Sequence, residues 1–150
     1  MARALAGLVL SCLVVACATP ADSGFAEAPV PPGKARLYVY RARDSSGPRD
    51  AGTVTVNTHP LAALGRGEYV TVVVPPATIR LRAGKEEDFA RVSPEPIELM
   101  EGQIAFCALA ADLSESFVLW TFRCSRKLAE HPELPGCRRG ALDRTVDWVP

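Results

Sequence analysis

Cys124, His131 and Cys137 place two thiols and an imidazole within a stretch of 14 residues, soft donors of the kind that suit zinc or copper(I). Their spacing follows no established ligand pattern and no fourth ligand is evident, so neither a metal nor any other cofactor is expected. The same two cysteines bracket a polar segment holding Pro132, Pro135 and Gly136. A Cys124–Cys137 disulfide would close that loop and contribute about 3 kcal/mol. On this reading His131 is a solvated loop residue, and Cys107, inside the apolar run Ile104–Leu109, is a free thiol behaving as a small hydrophobe. A Cys107–Cys124 bridge fits worse. A hairpin turning near Leu113 sets Cys107 opposite position 119 or 120 and leaves Cys124 roughly 13 Å out of register.

Other reactive combinations are weak. His59 and His131 are the only histidines, both directly before proline, and no serine sits in a Gly-x-Ser-x-Gly elbow. Glu86, Glu87 and Asp88 follow Gly84-Lys85 and read as a solvated loop rather than an acid–base pair. No glycine-rich phosphate cradle is present. The chain is therefore not expected to be an enzyme. Binding chemistry is left: Arg41, Arg80 and Arg82, with Arg36 and Arg43, lie on neighbouring strands and can form a basic strip for anionic glycan or lipid headgroups. The plain alternative is a set of wet-face arginines. Trp120 and Trp148 read as core or edge filler.

Charge narrows the partners. The 150 residues carry 17 Lys and Arg against 17 Asp and Glu, a net charge of +0. Such balance argues against nucleic acid as a partner. The length supports one domain of about 100–115 residues with a linker, enough to bury a core without a metal.

The elements that must position these groups are short and β-like. Ala35–Arg41 is rich in aromatic and β-branched residues, and Thr53–Asn57 alternates with period 2. A turn at Asn57–Pro60 leads to a short apolar run, Leu61–Leu64, and a second turn at Gly65–Gly67. Tyr69–Val74 is a strong strand ended by Pro75-Pro76, and Thr78–Arg82 alternates cleanly. Pro94 and Pro96 restrict the chain before Ile97–Leu99 to an edge position. A strand around Phe106 and its partner Phe117–Phe122 follow, then one or two helical turns over Ser125–Glu130, and a tail around Trp148. This pattern predicts an all-β domain over 34–150, an antiparallel β-sandwich of about seven or eight short strands.

The N-terminal stretch differs. After Arg3 it is apolar from Leu5 to Val15, too short to span a bilayer, and reads as an export signal. The run Leu13-Val14-Val15-Ala16-Cys17 resembles the lipobox of bacterial lipoproteins. That resemblance implies a signal peptide over 1–16, cleavage after Ala16, and lipidation of Cys17. Ala18, where Asp is the usual inner-membrane retention signal, implies the outer membrane, with the domain facing the periplasm. Ala16-Cys17-Ala18 also fits an ordinary signal-peptide site, which gives a soluble periplasmic protein starting at Thr19. Residues 17–33, with four prolines and no hydrophobic period, read as a flexible tether.

A second resemblance covers roughly Gly33–Leu109. The Tyr38-Val39-Tyr40-Arg41 strand, Gly67-Glu68-Tyr69 and Val74-Pro75-Pro76 resemble an uncharacterised family of small bacterial lipoproteins with a PEGA-like β-module. Asn57-Thr58 stands where that family has Asn-Gly, and Ala77 where Gly follows the proline. The resemblance implies fold and address but no activity. The expectation is a lipid-anchored envelope lipoprotein acting as a non-catalytic structural or partner-binding module, its partners the membrane and an envelope protein or glycan. The alternative is a soluble periplasmic ligand-binding or metal-handling protein.

Overall fold

The computed structural model describes residues 24–49, 53–84, 95–113, 118–140 and 144–145. The signal segment, Cys17, the carboxylates of 86–88, and Trp148 lie outside these residues. The fold is all-β. Among the described residues, eleven strands run in chain order: β1 Ala35–Arg41, β2 Thr53–Val56, β3 His59–Ala63, β4 Glu68–Val74, β5 Ala77–Ile79, β6 Leu81–Arg82, β7 Ile97–Leu99, β8 Ile104–Leu113, β9 Val118–Ser125, β10 Arg138–Arg139 and β11 Arg144–Thr145.

The main sheet has the order β10-β4-β1-β8-β9, with β11 also on β4. It is mixed, a departure from the wholly antiparallel arrangement predicted: β1 runs antiparallel to β4 but parallel to β8, and β10 and β11 run parallel to β4. Two small sheets, β3-β2-β6 and β5-β7, complete the architecture. The alternating segment Thr78–Arg82 is split between them, because β5 pairs with β7 while β6 pairs with β2. The β2–β3 hairpin turns through Asn57-Thr58, with only Asn57 in the left-handed region at φ 54°. Asparagine tolerates that conformation, so threonine need not adopt it and no glycine is required.

Burial explains the composition of β1. One face places Leu37 and Val39 in the larger core with Val54, Val70, Leu81 and Leu109. The opposite face places Tyr38 and Tyr40 in a second cluster with Tyr69, Phe106, Leu134 and Cys137. A central strand covered on both sides reads as a continuous apolar run instead of an alternating one.

The covers of that second face come from segments predicted to be loose. Residues 24–33, assigned from sequence to the tether, lie against the sheet. Phe25 packs edge-on to Tyr38 and Tyr69 at centroid distances of 5.2 and 5.4 Å, the Tyr38 hydroxyl accepts the Ala28 N–H at 2.7 Å, and Gly24 bridges to Arg138. Edge-to-face rings at this separation contribute about 0.5–1.5 kcal/mol beyond their buried area. The second cover is the stretch after β9, folded into two 3-10 turns, Leu128–Glu130 and Leu134–Gly136.

Candidate functional site

The predicted site residues are dispersed. The disulfide joins Cys107 to Cys124, and Cys137 is a free, buried thiol; the Cys124–Cys137 pairing is corrected. The reason is register. β8 runs to Leu113 and β9 starts at Val118, and with these two residues paired the register sets Cys107 directly opposite Cys124, with Cα atoms 4.1 Å apart. The signal was present in the sequence: the apolar character of Ile104–Leu109 continues through Ala110-Ala111, and pairing it with Val118–Cys124 about that gap aligns the two cysteines.

This pairing also dissolves the candidate metal set. Cys124 is oxidised, the Cys137 thiol donates to the carbonyls of Glu133 and Arg41 at 3.5 and 3.7 Å, and His131 is engaged on both ring nitrogens. Burial pushes the Cys137 thiol up to about 11.

Arg41 is no part of an exposed basic strip. It is 0% exposed, with its guanidinium 4.9 Å from the Trp120 ring centroid. Its Nε donates to Ser45 Oγ at 3.0 Å, Nη1 to the Arg49 carbonyl at 2.9 Å, and Nη2 to the carbonyls of Ser46 and Pro48. The side chain therefore gathers the loop that follows its own strand, using the five-donor fork that only arginine offers. Arg80 is exposed between β5 and β6, its backbone held by Asn57 through reciprocal bonds of 2.7 and 2.9 Å. Arg82 is half-buried and lines a cleft.

His131, expected from sequence to be a solvated loop residue, is 1% exposed. Tyr40 Oη lies 3.0 Å from its Nδ1, Ser125 Oγ 3.1 Å from its Nε2, and Tyr40 donates to Glu133 Oε2 at 3.1 Å. These bonds fix the tautomer. The Glu133 carboxylate can only accept, so it takes the single Tyr40 proton. The Tyr40 oxygen then accepts from Nδ1–H, while the single Ser125 proton is shared between Nε2 at 3.1 Å and the Lys127 carbonyl at 3.2 Å. The Glu133 carboxyl is held below its usual range, first by its own backbone N–H and then by Tyr40 and Arg123, against the opposing effect of burial. Desolvation, and then the Arg123 charge, lower the His131 pKa, outweighing Glu133 and Glu130. The relay clamps the turns after β9 onto β1, and the histidine works as a neutral connector.

A pH dependence follows. With the folded pKa of His131 below its ordinary 6.5, the unfolded chain binds the extra proton first. The His131 contribution to stability is complete above 6.5 and is lost as pH falls from there through the lowered folded value. Urea midpoints are expected to drop as pH falls from 7 toward 5, and His131→Gln is expected to flatten that slope. A further loss below pH 4.5 belongs to Glu133 and survives the substitution.

A cleft of about 660 Å³ lies where the main sheet parts from the two small ones. One wall follows β9 and the two residues after it, and the other is made by Leu81–Ala83 and Glu95–Glu98. Its floor is apolar, with Ala105, Trp120 and Phe122, while Arg126, Lys127 and Glu130 stand at one end. The volume falls within the ordinary range for ligand pockets. Among the described residues, no helix is long and apolar enough to cross a membrane. Comparison with protein-family models, with curated proteins and with solved structures finds no match.

Proposed function

We propose that this protein is a lipid-anchored, periplasm-facing module of the bacterial envelope, held in the outer membrane through Cys17, that binds a partner without catalysis. The binding role rests on one observation, the apolar-floored cleft of about 660 Å³ between β9 and the strands opposite it. The address rests on Leu13–Cys17 and on the likeness of the Tyr38–Arg41, Gly67–Tyr69 and Val74–Pro76 segments to small envelope lipoproteins. Arg82, Arg126 and Lys127 at the cleft supply the polar contacts with a partner, in place of the Arg41–Arg80–Arg82 strip.

The test of the address is the intact mass of the membrane-extracted protein, alkylated at pH 8 before and after denaturation and again after reduction. The expected result is a chain starting at Cys17 with acyl mass. No thiol is alkylated in the folded state, because Cys137 is buried with its pKa pushed up to about 11. One thiol is alkylated after denaturation and three after reduction. A chain starting at Thr19 without lipid would overturn the anchor and place the protein free in the periplasm.

A further inference from the structure

The outer edge of β9 has a composition of backbone groups that follows from the disulfide. In an antiparallel pair, directly opposed residues alternate between close, non-hydrogen-bonded pairs and wider, hydrogen-bonded ones. The Cα separation of 4.1 Å marks Cys107–Cys124 as a close pair. Along the register, Leu109–Phe122 and Ala111–Trp120 are then close pairs as well. The N–H and C=O groups of Trp120, Phe122 and Cys124 therefore point away from β8, toward the cleft. β9 is the end strand of its sheet, and no strand among the described residues pairs with that edge.

Backbone groups of this kind seek another backbone. Here they stand in a row, two residues apart, along one wall of a cleft whose floor carries Trp120 and Phe122. We propose that β9 is a strand-addition site, and that the occupant of the cleft is a single extended peptide segment of a partner protein. The segment forms a ladder with Trp120, Phe122 and Cys124, and lays every second side chain on the apolar floor. Strand addition of this type takes affinity from main-chain bonds and specificity from alternating side-chain pockets.

Two features select one strand over a second sheet. Leu81–Ala83 and Glu95–Glu98 wall the cleft opposite β9, so the five-strand-wide sheet of a second copy does not enter. The three outward positions span about 14 Å, the reach of a segment of five or six residues. Arg126, whose Nη2 donates to the Glu98 carbonyl at 2.8 Å, closes one end by joining the two walls. This inference rests on the partner-binding reading and is independent of the anchor.

The test uses an acetylated, amidated decapeptide of alternating valine and threonine with terminal lysines, and the full chain as purified from membranes. Amide hydrogen exchange is followed at Trp120, Phe122 and Cys124. These amides are expected to exchange rapidly in the free protein and to slow at least tenfold with saturating peptide. N-methylating every second peptide amide removes donors from one edge of the added strand only. One methylated set is expected to weaken binding at least tenfold and the other to leave it nearly unchanged. Equal effects of the two sets, or slow exchange of the three amides without peptide, would falsify the site. Peptide-independent slowing that depends on protein concentration would assign the edge to a second copy and equally overturn it. A soluble, unlipidated chain that still binds the peptide removes the anchor while leaving this site intact.

Discussion

Replacing Arg41 with alanine is expected to lower the unfolding free energy by about 3–5 kcal/mol, from buried acceptors left without a donor and from the cavity of a large buried side chain. Three effects combine. The carbonyls of Ser46, Pro48 and Arg49 and the Ser45 hydroxyl lose the donor that gathers them. The Trp120 ring loses the cation 4.9 Å from its centre. The space of a fully buried side chain is left open. Arg41→Lys keeps the charge but has no planar fork, so it is expected to recover only part of the loss. Urea unfolding measures both, and proteolysis within 42–49 reports the released loop. A destabilisation below about 1 kcal/mol for Arg41→Ala would mean that the loop keeps its shape by other means.

Removing the disulfide comes next in size. Its 17-residue separation makes the chain-entropy contribution about 3 kcal/mol. Cys107→Ala alone is expected to produce the full loss, because it frees Cys124. Cys137→Ala leaves the bridge intact and removes only a thiol packed with Tyr40 and Leu134, at a cost of about 1 kcal/mol. A non-reducing digest is expected to join the Cys107 and Cys124 peptides. A mild Cys107→Ala phenotype together with a severe Cys137→Ala one would reverse the pairing.

The strands of this domain are legible where each is a local run of aromatic and β-branched residues. Tyr38–Arg41, Thr53–Val56 and Tyr69–Val74 stand in the structure as their composition predicts, and the all-β class follows from them. What composition does not carry is long-range pairing. The β8–β9 register depends on the length of the connection after Leu113, and a shift of a few residues there moves Cys124 from disulfide reach to about 13 Å away. Arg41 ends a strand and reads as wet until Trp120, far along the chain, is known to close over it. His131 before Pro132 has the local appearance of a loop residue. Its burial comes from Tyr40, 91 positions earlier. Phe25 is one aromatic in a proline-rich stretch, and no periodicity can mark a single residue as packed. The cleft is equally non-local, since its walls come from β6, β7 and β9.

With Phe25 docked on the sheet, an anchor at Cys17 would join the domain at one edge of that sheet. With lipid on Cys17, only residues 18–23 separate the anchor from Gly24, a leash of about 25 Å when fully extended. Gly24 is fastened to Arg138 in β10, the strand at one end of the main sheet, and β9 is at the other. Four inter-strand steps put the two edges about 19 Å apart. An anchor at Cys17 would thus pull on the β10 edge and leave the β9 cleft at the far side of the sheet from the point of attachment.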